Sequence, residues 1–380
     1  MLKRITVLLI VSLFVLDSLG IKVGARELSL SAKSAVLINA ETNEIVYEKN
    51  AREKRGMAST TKIMTSLLAV ESEKLDNCVT VKDADVHVEG TSIGLKAGDK
   101  ITLRILVYGM LLESGNDAAN VTATAIGGSK EKFVSLMNKR AKELGMTDTY
   151  FKNPSGLTED GHYSTAYDMA ILGSAAIGNG EFRSICSRTS IRVSYGNPEY
   201  ERTFSNHNKF LNAFDGAFGI KTGFTKASGR CLVTAAERGG VTLVAVTLSA
   251  SDDWNDHKKL MEYGFEKVRV YKEDFDTENI KINVVGSDNK SVNVGLDKAL
   301  TYTCAVMPDT QKIVTCENFL YSGVKKGDVV GAVKVYTTSG VFLCESKLVS
   351  TENAPMNFTE KKKTNSPWEV IKMFFRSLKR

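Results

Sequence analysis

Ser59-Thr60-Thr61-Lys62 has the form Ser-x-x-Lys. On a helix, a residue three positions on lies about one turn further along the same face, so the lysine amine can reach the serine hydroxyl. A serine hydroxyl is a weak nucleophile until a neighbouring base takes its proton. Lysine can be that base only if burial and a cationic neighbour draw its pKa far below the reference value of about 10.4. The pattern alone selects little, because it also begins at Ser129, Ser287 and Ser322. Order and company single out Ser59. Ser114-Gly115-Asn116 has the form Ser-x-Asn; its hydroxyl can relay a proton to a leaving amine, and its amide can hold both Lys62 and a substrate carbonyl. Lys221-Thr222-Gly223 occurs once, in a strand-like run from Phe218. A lysine and a hydroxyl at a sheet edge suit a carboxylate, and a glycine there admits a close substrate backbone. Ser-x-Asn recurs at Ser287 and Ser291, among strand residues, and reads there as hairpin-turn chemistry.

These three segments need a scaffold that gathers them. Residues 34–49 alternate apolar and polar around Glu41–Glu44, which predicts a β-hairpin. Apolar residues recur at helical spacing in 60–70, with further helical stretches at 103–112, 130–144 and 165–177. Strands are expected at 218–222, 231–236 and 241–248. A sheet drawn from both ends of a domain, with helices from its middle, implies an α/β layered fold. After about residue 275 short β-rich runs alternate with Gly, Asp and Ser turns, so 275–352 is expected to be a small all-β domain and 26–274 the catalytic one.

The ends read differently. Lys3 and Arg4 precede an apolar run from Ile5 to Leu16, and Val23-Gly24-Ala25 supplies small residues, so 1–25 has the pattern of a secretory signal. That apolar run is short of the ~20 residues needed to span a bilayer. Residues 353–366 read as a polar linker. In 367–380, Trp368, Ile371, Phe374, Phe375 and Leu378 share one side of a helical wheel, and Glu369, Lys372, Arg376, Lys379 and Arg380 share another. That pattern fits an amphipathic helix lying in a membrane surface. The formal charge of +6 is concentrated in these ends, which leaves the body close to neutral and without a nucleic-acid footprint. Six cysteines with no Cys-x-x-Cys pair and four scattered histidines give no zinc pattern, and no metal or cofactor is expected. Free thiols are expected, with Cys304 and Cys316 the one pair that could meet across a hairpin. His162 and Asp168 read as structural, and Arg230 as either a carboxylate ligand or a surface strand residue.

The set Ser-x-x-Lys, Ser-x-Asn, Lys-Thr-Gly is shared by penicillin-binding proteins and class A β-lactamases. The stretches Met57–Thr65, Leu112–Ala119, Asn153–Leu157, His162–Asp168 and Gly219–Thr225 resemble the low-molecular-weight D-alanyl-D-alanine carboxypeptidases over about 30–270. The resemblance implies a β-lactamase/transpeptidase-like α/β domain (an antiparallel sheet with helices), then a small β domain and an amphipathic anchor. It implies that Ser59 attacks the carbonyl between two terminal D-alanines of a peptidoglycan stem peptide, with Lys62 as base. Ser114 would protonate the leaving amine, Asn116 would orient Lys62, and Lys221 and Thr222 would hold the terminal carboxylate. Backbone N–H groups of Ser59 and of Phe224, after Gly223, would form the oxyanion hole, and β-lactams would acylate the same serine. The setting implied is outside the cell, at the outer face of the bacterial cytoplasmic membrane or secreted. A β-lactamase, a peptidoglycan endopeptidase and a non-enzymatic wall-binding protein are the alternatives. The first needs a placed carboxylate for deacylating water, and no Glu-x-x-Leu-Asn segment separates the second and third motifs.

Overall fold

The computed structural model describes residues 28–356, together with Trp368 and Ile371. The leader assigned to 1–25, most of the linker assigned to 353–366 and, those two residues apart, the helix assigned to 367–380 lie outside the described residues. The chain divides into two compact units between Arg269 and Val270.

In the first unit a hairpin, β1 (Ser34–Asn39) and β2 (Ile45–Lys49), turns at Asn43, whose φ of 58° is one that asparagine tolerates. The helices α1 (Lys62–Glu71), α2 (Leu103–Leu111), α3 (Asn116–Gly127), α4 (Lys130–Glu143) and α5 (Ala166–Gly178) follow. The chain then forms β3 (Ala217–Thr225), β4 (Gly229–Arg238) and β5 (Val241–Ala250), and closes with α6 (Asp253–Lys267). The five strands make one antiparallel sheet in the order β2-β1-β5-β4-β3. The first strand therefore pairs with the last, Ala35 opposite Thr247, and β3 is left at an edge.

Helices cover both faces of this sheet. A Cβ on Gly264 of α6 would lie 2.6 Å from Leu243, and one on Gly173 of α5 would lie 3.1 Å from Val244. Leu243 and Val244 are neighbours on β5 and so point to opposite faces. The α6 side also carries His257, buried between the hydroxyls of Thr234 (2.6 Å) and Thr247 (2.9 Å). Burial drives its pKa down to about 3, so the ring is a neutral hydrogen-bonding strut.

Helix α1 is buried at every residue from Lys62 to Leu67. Its buried polar residues Lys62 and Thr65 are hydrogen-bonded, and α2, α3 and α5 pack about it. Two of the other Ser-x-x-Lys matches have plain structural roles. Ser129 is the N-cap of α4, accepting from the Lys132 N–H, and the Ser287 hydroxyl accepts from the Asn289 N–H in a turn.

In the second unit, strands drawn from 281–350 form a six-stranded sheet over a core that includes Ile282, Val292, Val333, Val335 and Leu348. Strand Arg269–Glu273 pairs with Leu300–Cys304, which draws the division earlier than the expected residue 275. At the other end Ala354 is buried and bridged to Val324, so packed chain runs past residue 352. The pairing of Cys304 with Cys316 is not made: Cys316 is an exposed free thiol on Thr310–Cys316, a strand that pairs with Val329–Thr337.

Candidate active site

Ser59 stands in a single 3₁₀ turn, residues 58–61, from which α1 continues. Ala58 before it has φ of 47°, a conformation costly for a residue with a Cβ. Gly156 holds it there from outside: with φ of +89°, a Cβ on this glycine would fall 1.9 Å from the Ala58 carbonyl oxygen.

Lys62, one turn on, is fully buried and has three oxygens around its Nζ. The Ser59 Oγ lies at 3.0 Å, the Asn116 Oδ1 at 2.6 Å and the Ser155 carbonyl oxygen at 2.7 Å. Burial first, and then the nearby charge of Lys221, hold its pKa well below the ordinary lysine value. Asn116 opens α3, and its Nδ2 donates to the Glu89 carbonyl at 2.6 Å, which fixes the amide with Oδ1 towards Lys62. The next residue, Asp117, accepts from the Ser92 hydroxyl at 2.6 Å and from the Ile93 and Leu95 N–H groups at 3.0 Å each. That buried carboxylate ties loop 89–95 to the start of α3. Ser114 lies just before α3 with φ of 64° and lines the cleft beside Ser59.

The edge strand β3 closes the other side. A Cβ on Gly223 would lie 3.0 Å from the backbone nitrogens of both Ser59 and Thr60, so only glycine lets β3 approach the 3₁₀ turn this closely. Lys221 is 1% exposed; its Nζ donates to the Thr222 carbonyl at 2.9 Å, and burial lowers its pKa to about 7. Phe224, by contrast, is 65% exposed.

The cleft between these walls has a volume of about 540 Å³. Ser59, Ser114, Thr222, Gly223 and Phe224 line it, while Lys62, Asn116 and Lys221 are buried behind that lining. The structure thus brings all eight sequence-derived positions into one region. It adds residues that motif reading missed: the Ser155 carbonyl, the Asp117 anchor, and Thr91, His207, Lys209 and Trp254 on the walls.

His162 is structural. Its Nδ1 accepts from the Lys152 N–H at 3.0 Å, so Nε2 carries the proton and donates to the Thr61 hydroxyl at 2.9 Å. Burial lowers its pKa to about 4, so the ring is neutral near pH 7. It thereby clamps loop 152–162, which supplies the Ser155 carbonyl, to the 3₁₀ turn. Asp168 accepts from the Asp148 N–H and the Thr149 hydroxyl. Among the described residues no three His, Cys, Asp or Glu side chains gather as a metal site.

The fold is that of the penicillin-binding serine DD-peptidases. The crystal structure of a D-alanyl-D-alanine carboxypeptidase, DacD from Francisella tularensis, matches with a TM-score of 0.63 and 26% identity, over 87% of this chain and 95% of that one. A Streptomyces DD-transpeptidase matches with a TM-score of 0.61 and 32% identity, over 64% of this chain and 100% of that one. The chain belongs to the D-alanyl-D-alanine carboxypeptidase family, peptidase S11, whose model matches residues 21–252. It is 32% identical to the D-alanyl-D-alanine carboxypeptidase DacF of Bacillus subtilis over 91% of its length and 92% of the relative's. It is 34% identical to DacC of Escherichia coli over 86% of its length and 84% of the relative's. The chain is accordingly a serine-type D-alanyl-D-alanine carboxypeptidase of the low-molecular-weight penicillin-binding class.

Proposed function

We propose that the chain trims the terminal D-alanine from peptidoglycan pentapeptide stems outside the cell, through an acyl-enzyme on Ser59. The observation that carries this reading is the environment of Lys62. A neutral amine has two N–H donors and one lone pair. The two shortest contacts, to the Asn116 Oδ1 and the Ser155 carbonyl, take both donors, which turns the lone pair towards the Ser59 hydroxyl at 3.0 Å. That geometry lets the neutral amine act as the base for the Ser59 hydroxyl.

In this scheme Lys62 takes the hydroxyl proton as Ser59 Oγ bonds to the carbonyl carbon between the two D-alanines. The oxyanion forms between the N–H groups of Ser59 and Phe224, which the close approach of Gly223 brings together. Collapse breaks the C–N bond. The departing amine takes a proton delivered through the Ser114 hydroxyl, and D-alanine leaves. Water then cleaves the ester by the same proton route. Thr222, on the cleft wall, donates to the terminal carboxylate. A β-lactam presents a strained amide to the same atoms. The one carboxylate among the described lining residues is Asp253, which is paired with Arg230.

The leader 1–25 and the tail 367–380 extend the proposal to an exported enzyme held at the outer face of the cytoplasmic membrane. The catalytic test is release of D-alanine from a pentapeptide ending in D-Ala-D-Ala. Ser59→Ala is expected to abolish release and labelling by a fluorescent penicillin while the melting temperature is kept. Release that survives this substitution sinks the assignment.

A further inference from the structure

We infer that the second unit carries a membrane-contact surface of its own, an apolar patch beside the point where the chain leaves towards 357–380. Its partner is the headgroup layer of an anionic bilayer. The inference rests on the proposed membrane role of the tail and adds a second contact to it.

Of the large apolar side chains exposed between residues 28 and 356, Leu136, Tyr150 and Phe224 belong to the first unit and all others to the second. Four of those, Val285, Phe319, Tyr321 and Met356, gather at one place. Phe319–Tyr321 is a short edge strand, parallel to Lys281–Val285, with Asn283 opposite Phe319 and Val285 opposite Tyr321. Side chains alternate along a strand, and Ile282 and Val284 point into the core, so Val285, Phe319 and Tyr321 share the outer face. The two rings meet edge to face, 5.4 Å between centroids, and Tyr321 is 73% exposed. The residues that follow tie this face to the exit of the chain. The Ser322 N–H donates to the Val285 carbonyl and the Gly323 N–H to the Ala354 carbonyl, each at 2.8 Å, and exposed Met356 comes two residues later.

What surrounds the patch selects the partner. Lys325 and Lys326 are exposed, and the Lys326 N–H donates to Asn353 Oδ1 at 2.8 Å, which holds this basic turn against the same exit. Lys361-Lys362-Lys363 come soon after it in the sequence. Exposed aromatic rings beside lysines suit the headgroup level of an anionic membrane. The residues from Met356 to Trp368 reach about 40 Å at most. A tail lying in the headgroup layer thus keeps this end of the second unit within that distance of the membrane. Linkage raises the effective concentration of a second contact, so a patch too weak to hold the protein alone still adds to the affinity of the full chain.

The test is sedimentation of the full chain with vesicles of phosphatidylcholine and phosphatidylglycerol. Phe319→Ser with Tyr321→Ser is expected to weaken binding by roughly 10- to 100-fold, the scale set by burying two exposed aromatic side chains. Tyr321→Ser alone, the milder change, is expected to lose part of that. Both should release D-alanine from a soluble pentapeptide at the wild-type rate. The control is Val306→Ser with Met307→Ser. These apolar residues are also exposed, but they precede Thr310–Cys316, a strand about 20 Å long whose other end leads to Phe319. The control should bind as the wild type does. Wild-type protein that stays in the supernatant overturns the membrane role of the tail and this inference together. Wild-type binding that the double variant matches, or a loss that the control shares, overturns the inference alone. Tighter binding by the double variant assigns the patch to the chain's own tail, and a wild-type dimer that the variant makes monomeric assigns it to a second copy; either overturns the inference.

Discussion

In the proposed scheme the proton that Ser59 gives up goes to Lys62, and the charge on Lys221 helps set how ready that acceptor is. Burial is the larger cause of the lowered Lys62 pKa and the neighbouring lysine the next. Lys221→Met removes the second cause and leaves the first, so the Lys62 pKa rises part of the way back. A reaction that needs the neutral amine dies away as pH falls through that pKa. Its acid limb should therefore move to higher pH in the variant. Because Lys221 itself loses its proton at about 7, the difference between the two proteins should widen below that pH and close above it. The limb belongs to the coupled pair, so it is the displacement that is read. A thioester substrate whose leaving thiol carries no carboxylate suits the measurement, since its binding does not depend on a cation. A limb that stays in place or moves towards acid contradicts this electrostatic account.

Elements place these groups, and the tightest fit is between the 3₁₀ turn and the edge strand β3. A methyl on Gly223 meets two backbone nitrogens at 3.0 Å, and backbone yields less readily than a side chain. Gly223→Ala should push β3 outward and separate the N–H groups of Ser59 and Phe224. Misplacing one oxyanion donor costs about 3 kcal/mol, so acylation by penicillin should slow by roughly 10²- to 10³-fold at an almost unchanged melting temperature. Acylation at the wild-type rate would show that the gap closes without glycine. The motif makes this glycine visible in the sequence, but not what it touches. The same divide runs through the whole fold. The hairpin 34–49, the helix after Ser59 and the strands about Lys221 are legible because their apolar periods are regular. Helices α3 and α6 and the hairpin Ser190–Gly196 with Glu199–Ser205 are not. Helix α3 starts Asn-Asp-Ala-Ala-Asn and is held by Asp117 and loop 89–95, contacts no local pattern announces. Helix α6 is fixed by His257 between two strand threonines and by Arg230 on Asp253, again partners distant in sequence. The Ser155 carbonyl is invisible for a different reason: backbone carries no residue identity, and only the clamp through His162 aims it at Lys62.

At the scale of the whole molecule the enzyme must meet a substrate fixed in the wall, and where it is held matters as much as its cleft. Among the described residues no helix is long and apolar enough to cross a membrane. Trp368 and Ile371 are helical, and they are 72% and 44% exposed. Over 361–380 the sequence carries seven Lys or Arg against one acid, Glu369. Each such cation near an anionic surface contributes about 1 kcal/mol, and aromatic residues favour the interface itself. Together these terms suit a helix lying in the headgroup layer, and they lie outside the unit that holds the cleft. Deleting 367–380 should therefore move the enzyme from the membrane to the soluble fraction while kcat/KM on a soluble pentapeptide stays the same. Because part of the attraction is screened, binding of the full chain to vesicles containing anionic lipid should also weaken as salt rises. Truncated protein that still sediments with the membrane would remove the tail from this role and leave retention to another part of the chain.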